Sequence, residues 1–226
     1  MLEICPSFQS GDINKNRYTI VEQIGKGSYS AIFEGINKNQ TASQHVAIKF
    51  EQITLESPTL LNEILVLQEL AGNIHFAQFY EQGTHKKYKF VAMELLGPSL
   101  NDLVNRKKPN FVIGSTVETS NMIYLIDFGL CKKLYLNDGI IINPSMKGSF
   151  HGTIKYASIN AHLGKELGRN DDLMSLIYIL VELYTGTLPW GNVNDPDEVL
   201  RLKELYQGGS LLVKMPSEFK HIKQLN

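Results

Sequence analysis

Five short runs in the first half of the chain alternate in polarity and are rich in β-branched and aromatic residues: RYTIVEQI (17–24), SYSAIFEGI (28–36), HVAIKFEQI (45–53), FAQFYEQG (76–83) and YKFVAMELL (88–96). A period of two is what a strand needs in order to bury one of its faces. A single stretch between them, PTLLNEILVLQELAG at 58–72, has helical spacing. Its Leu60, Ile64, Leu67 and Leu70, with Leu61 and Leu65, predict a broad apolar stripe, and Gly72 predicts a C-terminal cap. Residues 17–96 should therefore form a small antiparallel sheet with one helix. From residue 171 the period changes. DDLMSLIYILVELYTG is apolar at 173, 176, 177, 180, 181 and 184, the spacing of a helix buried on most of its surface. The expected fold is α+β in two lobes: an N-terminal extension (1–16), a sheet-rich lobe (17–96) and a helical lobe (97–226).

Composition narrows the partners. A chain of 226 residues with 43% hydrophobic and 20% charged residues can bury a real core. Its 22 basic and 23 acidic residues nearly cancel, so net charge implies neither a nucleic-acid nor a membrane partner. The start, MLEICPSFQS, lacks the charge and apolar run of a secretory signal, and the apolar stretch at 173–184 is too short and polar to span a bilayer. The expectation is a soluble intracellular chain, cytoplasmic or nuclear. Cys5 and Cys131 are too few for a disulfide framework, and no Cys/His cluster has zinc spacing.

The chemistry begins at IGKGSYSAIFEG, where Gly25 and Gly27 form a GxGxxS pattern followed by a strand pattern and not by a helix. A Rossmann turn wants a third glycine and a helix, and a Walker loop wants GK followed by Ser or Thr. A glycine-rich hairpin folding over ATP fits, because missing side chains let backbone amides approach phosphates. An ordinary Gly-rich turn would look the same in isolation. Lys49, in VAIK, follows Gly27 by 22 residues and sits on the third strand pattern, and the next helix carries Glu63. Such a lysine can reach the α- and β-phosphates, and such a glutamate can hold it in place. Each residue alone would read as solvated. IYLIDFGL then places Asp127-Phe128-Gly129 directly after an apolar strand, where a carboxylate binds the magnesium that bridges β- and γ-phosphates.

MELLGPSLNDL, DFGL, GTIKYASINAH, GRNDDLMSLIYILVEL and LPW resemble the casein-kinase-I superfamily of protein kinases from about Tyr18 onward. FHGTIKYASINAHLGKELGRNDDL is especially similar to the tau-tubulin kinase branch, and Ser158-Ile159-Asn160 stands where most protein kinases have APE. The resemblance implies a two-lobed kinase fold, ATP and Mg²⁺ as cofactors, and γ-phosphoryl transfer to serine or threonine of protein substrates. It makes Met93 the gatekeeper, gives Glu94 and Leu96 hinge backbone groups for adenine, and puts Asp102 near the ribose. Ile24, Ser30, Ile32 and Ala47 join Gly25, Gly27, Lys49 and Glu63 around the nucleotide. Thr153 matches the threonine that supports the catalytic aspartate, and Asp172 the buried aspartate that braces the catalytic loop. A helix N-terminal carboxylate is the plainer reading of Asp172. Lys155 falls where the family holds an anion, which with the surrounding lysines suggests acidic or already phosphorylated substrates.

One stretch departs from the pattern. Glu94 and Asp127 are only 33 residues apart, where such kinases need roughly twice that for a long helix and a catalytic loop of HRDxKPxN type. No HRD occurs in the sequence. Lys108-Pro109-Asn110-Phe111 resembles the tail of that loop with one residue lost, so Lys108 and the second-magnesium candidate Asn110 match only approximately. The catalytic base is absent and the helical lobe is expected to be incomplete. Three readings follow: a serine/threonine kinase by ancestry, a nucleotide-binding pseudokinase or interaction module, and a non-functional splice or gene-model fragment.

Overall fold

A computed structural model describes residues 12–13, 17–27, 30–39, 43–53, 59–100, 110–133, 150 and 152–219. The chain divides into two compact units, Met1–Lys132 and Lys133–Asn226. The first ends beyond the expected lobe boundary at residue 96.

In the first unit, β1 (Asp12–Ile13), β2 (Tyr18–Lys26), β3 (Ser30–Asn37), β4 (Gln44–Gln52), β5 (Phe79–His85) and β6 (Tyr88–Glu94) form one antiparallel sheet in the order β1-β2-β3-β4-β6-β5. Helix α1 (Thr59–Glu69) connects β4 to β5. The alternation of side chains divides the sheet cleanly. Tyr18, Ile20, Phe33, Val46, Ile48, Phe50 and Phe90 form one cluster, whereas Val91 packs with Leu60, Ile64 and Leu67 of α1. Strand β4 sits between β3 and β6, and every residue from Val46 to Glu51 is buried. Gly35 belongs to this packing, since a Cβ there would lie 2.6 Å from Ile48 Cδ1.

The stripe on α1 is narrower than its sequence suggests. Leu60, Ile64 and Leu67 are buried, whereas Leu61 and Leu65 are 42% and 53% exposed. Positions 60, 64 and 67 form one helical row, and the neighbouring row at 61 and 65 is turned by about 100° away from the sheet. Gly72, at φ 85°, takes the left-handed backbone expected of a residue that ends the helical path.

A two-stranded ribbon, β7 (Phe111–Ile113) with β8 (Ile123–Leu125), completes the unit. It is tied in by backbone: Gly97 N–H donates to Ile113 O (2.8 Å), Ile113 N–H to Pro98 O (3.1 Å) and Leu125 N–H to His75 O (3.1 Å). These bonds explain why the unit runs past residue 96.

The second unit contains α2 (Ile159–His162), α3 (Arg169–Thr185), α4 (Pro196–Leu205) and a 3₁₀ turn (Gln207–Leu212). Ser158 caps α2 through Ala161 N–H (3.1 Å), and Asp195 caps α4 ahead of Pro196. Gly186, at φ 88°, ends α3 with its N–H on Glu182 O. Ile177, Tyr178, Val181, Leu188, Trp190, Val199, Leu212 and Met215 make the core. Burial of α3 on most of its surface is not what the structure has. Leu173 and Tyr184, which continue the helical row of Ile177 and Val181 toward the two ends of α3, are 40% and 61% exposed, and only the middle of that row, with Tyr178, enters the core. No described helix is long and apolar enough to cross a membrane.

Candidate functional site

The first unit brings three charged side chains from distant segments to one point. Lys49 projects from β4 toward α1, and its Nζ donates to Glu63 Oε2 (2.5 Å) and to Asp127 Oδ1 (3.0 Å). Glu63 and Lys49 are buried, while the Asp127 side chain is 56% exposed, so the cluster has one open side at the aspartate. Burial opposes the charge on Lys49, but the Glu63 and Asp127 carboxylates outweigh it and hold its pKa above the ordinary lysine value. Burial raises Glu63 above the usual carboxylate range against the pull of Lys49.

The DFG segment is set by packing. Phe128 is buried among Leu60, Ile64, Leu67 and Val91, with Phe76 at 5.8 Å between ring centroids. Asp127, next to it, has φ 68°, a left-handed conformation that non-glycine residues adopt only when neighbours enforce it. Asn62 of α1 donates to Gly129 O (3.4 Å) and to Cys131 O. Helix α1 thus holds both the glutamate and the chain that follows the aspartate.

The other predicted nucleotide residues line up by register. Ile32 lies opposite Lys49, and Ala47 opposite Glu34 and Met93, so Ile32, Ala47, Lys49 and Met93 share one face of the sheet. Gly25 pairs with Ile32 across the β2–β3 hairpin, and Ile24 beside it is 46% exposed. Gly27 N–H donates to Ser30 O (2.8 Å), and a Cβ at Gly27 would lie 2.9 Å from Ser30 Oγ. Glu94 N–H bonds to Gln78 O (2.9 Å) and Leu95 O accepts from Ser115 Oγ (2.7 Å), which anchors the chain around half-buried Leu96. Asn110 O accepts from Ile126 N–H (2.9 Å), so the ribbon brings the backbone of the second metal candidate beside Asp127. Asp102 and Lys108 lie outside the described residues. Among the described residues no group of three or more His, Cys, Asp or Glu side chains could hold a metal ion unaided.

In the second unit, Lys155 Nζ is paired with Glu182 Oε1 (2.5 Å), and Tyr156 OH donates to Glu182 Oε2 (2.7 Å). Lys155 therefore faces a carboxylate of its own chain. Thr153 O accepts the N–H groups of Tyr156 and Ala157, closing the turn on which Lys155 sits. The buried aspartate is Asp171 and not Asp172. Its carboxylate accepts from Asn160 Nδ2 (3.1 Å) and Gly168 N–H (2.8 Å), while Asp172, one residue on, points to the exposed side of α3.

Sequence reasoning missed three polar residues. Glu182 is buried at the Lys155 turn, and Glu51 is buried at the start of α1. Lys203, 1% exposed, donates to Ile154 O (2.7 Å) and Ala157 O (2.6 Å), meets His162 Nε2 (3.0 Å), and lies 5.2 and 5.4 Å from the rings of Tyr178 and Trp190. The available signals were spacing: Glu51 shares the strand face of Lys49, and Lys203 falls one turn after Val199 on the buried row of α4.

No family model matches the chain. Among curated proteins it is 33% identical to a probable serine/threonine-protein kinase of Dictyostelium discoideum, over 97% of this chain and 52% of that protein. It is 31% identical to casein kinase I homolog 2 of Schizosaccharomyces pombe, over 89% of this chain and 56% of that protein. Casein kinase I homolog 3 of the same yeast is 30% identical, over 84% and 54%. The chain spans about half the length of the curated relatives it matches. With a lysine, a helix glutamate and a DFG aspartate joined on an antiparallel sheet and its one helix, this chain is a relative of the casein-kinase-I-type serine/threonine protein kinases.

Proposed function

We propose that the chain binds ATP with Mg²⁺ as a casein-kinase-I-superfamily protein, nearest the tau-tubulin kinase branch, with residues 17–96 as the nucleotide lobe. The observation that carries this reading is Lys49 Nζ held between Glu63 and Asp127. Lys49 would meet the α- and β-phosphates while Glu63 keeps it charged and aimed. Gly25 and Gly27 would let backbone amides approach the phosphates. Ile24, Ile32, Ala47 and Met93 would enclose the adenine, with Glu94 and Leu96 offering backbone groups and Asp102 the ribose contact. Asp127 and Asn110 would hold Mg²⁺, and the ion would supply positive charge against the phosphates. Thermal unfolding with and without Mg-ATP tests the reading. A rise in melting temperature at millimolar nucleotide that Lys49→Met removes is the expected outcome; a folded wild-type sample with no rise overturns it.

As a phosphoryl-transfer enzyme this chain is impaired. The 33-residue interval from Glu94 to Asp127 and the absence of HRD support that conclusion. General-base help typically contributes about 10²–10⁴-fold, and losing the loop also removes the platform that aligns a hydroxyl. A radiolabel assay on casein or tubulin should show no appreciable incorporation, and robust incorporation abolished by Asp127→Ala would refute impairment. Binding without turnover is a pseudokinase or interaction role in the cytoplasm or nucleus. In relatives with a complete loop, Lys155 would select acidic or phosphorylated peptides, the incoming anion displacing Glu182. Primed and unprimed peptides compared on Lys155→Ala would decide that preference.

A further inference from the structure

Glu51 lies two residues beyond Lys49 on β4, so both side chains leave the strand on the same face. The Glu51 carboxylate is buried and accepts from Thr59 Oγ1 and from Leu60 N–H (3.1 Å). Thr59 and Leu60 are the first two residues of α1, where backbone N–H groups have no partner within the helix. The first turn of α1 contains no acidic residue of its own. A carboxylate from β4 therefore supplies both the hydrogen-bond acceptor and the negative charge that a helix N-terminus favours.

We propose that Glu51 is a positioning residue for the Lys49–Glu63 pair, and that β4 grips α1 at two points, its first turn through Glu51 and Glu63 one turn later through Lys49. The grips are about 6.6 Å apart along the strand and about 5–6 Å apart along the helix, so a single rigid helix engages both. Swinging or rotating α1 away from the sheet breaks both contacts together. This inference deepens the nucleotide-site reading and rests on it only for its consequence for ATP.

The test is competitive acylation of lysines in the full chain, read by mass spectrometry over a pH series, on wild type, Glu51→Gln and Glu51→Ala. Only the unprotonated amine reacts, so a lysine that loses a carboxylate partner and drops about one unit in pKa reacts about tenfold faster below that pKa. Glu51→Ala should raise Lys49 reactivity by about that factor while Lys214, exposed in the second unit, is unchanged. Glu51→Gln keeps an acceptor oxygen and should stay near wild type, a rescue that loss of general stability would not produce. Unchanged Lys49 reactivity in folded Glu51→Ala overturns the proposal. Should that variant fail to fold, Glu51→Asp, which keeps the charge but shortens the reach, takes its place with the same two outcomes. If wild type shows no melting shift with Mg-ATP, the nucleotide reading falls, and Lys49 labelling still decides the role of Glu51.

Discussion

Lys203→Met is the most informative single change in the second unit. Burial pulls the Lys203 pKa from its ordinary 10.5 down to about 7. Between these two values the unfolded chain carries the proton and the folded chain does not, so the unfolded state binds more protons and stability rises with pH. Each pH unit in that window is worth about 1.4 kcal/mol, with less near the folded value where the group is half titrated, so pH 7 to pH 9 should add about 2 kcal/mol. His162, held below its ordinary value by burial and by the Lys203 charge, titrates below this window, and Tyr178, pushed up to about 12 by burial when folded but titrating at its ordinary 10.0 when unfolded, opposes the rise only above about pH 9. Methionine keeps the length and the contact with the rings but removes the titration and the donors. At pH 9 the variant should lose on the order of 2 kcal/mol, since the carbonyls of Ile154 and Ala157 each lose a bond costing about 1–3 kcal/mol to leave unmade. Trp190 is the sole tryptophan and is buried beside Lys203, so urea unfolding followed by its fluorescence reads this unit directly. A steep rise in wild type and a flat profile in Lys203→Met are the expected pair. An equal rise in both would mean that Lys203 stays charged across the range and that the reasoning from burial is wrong.

Two further outcomes follow from packing in the first unit. Lys49→Met leaves Glu63 buried without its cation and should cost about 3–5 kcal/mol, while the double variant with Glu63→Gln should recover much of that loss in a double-mutant cycle by chemical denaturation. Gly35→Ala should cost about 1–3 kcal/mol in the same assay, because its methyl would lie 2.6 Å from Ile48 Cδ1 in the buried sheet; a neutral effect would show that Ile48 has room to turn.

Much of the first unit was legible because a strand reports its burial locally. The runs that became β2 to β6 alternate, and alternation needs no knowledge of what lies opposite. Spacing likewise nominated Lys49, Glu63 and Asp127. Helix α1 was legible as a helix but not in its orientation. Leu61 and Leu65 are as apolar as Leu60, Ile64 and Leu67, so the sequence reads as one broad stripe, and only docking on Val91 and Phe128 selects the row that is buried.

The order of residues along the chain, then, determined which segments become strands and helices and which charged residues are candidates for phosphate chemistry, because both depend on residues within a turn or a strand of one another. Tertiary structure decided which charges meet. Lys49 reaches Asp127 across 78 residues, and Lys203 reaches Ile154 across 49. Asp171 is buried in place of its neighbour Asp172 because Asn160 and Gly168 offer donors on one side of α3 only at that phase of the helix. A charge is stable in the interior only where donors and counter-charges converge on it, and such convergence is a property of the packed chain that no local pattern records.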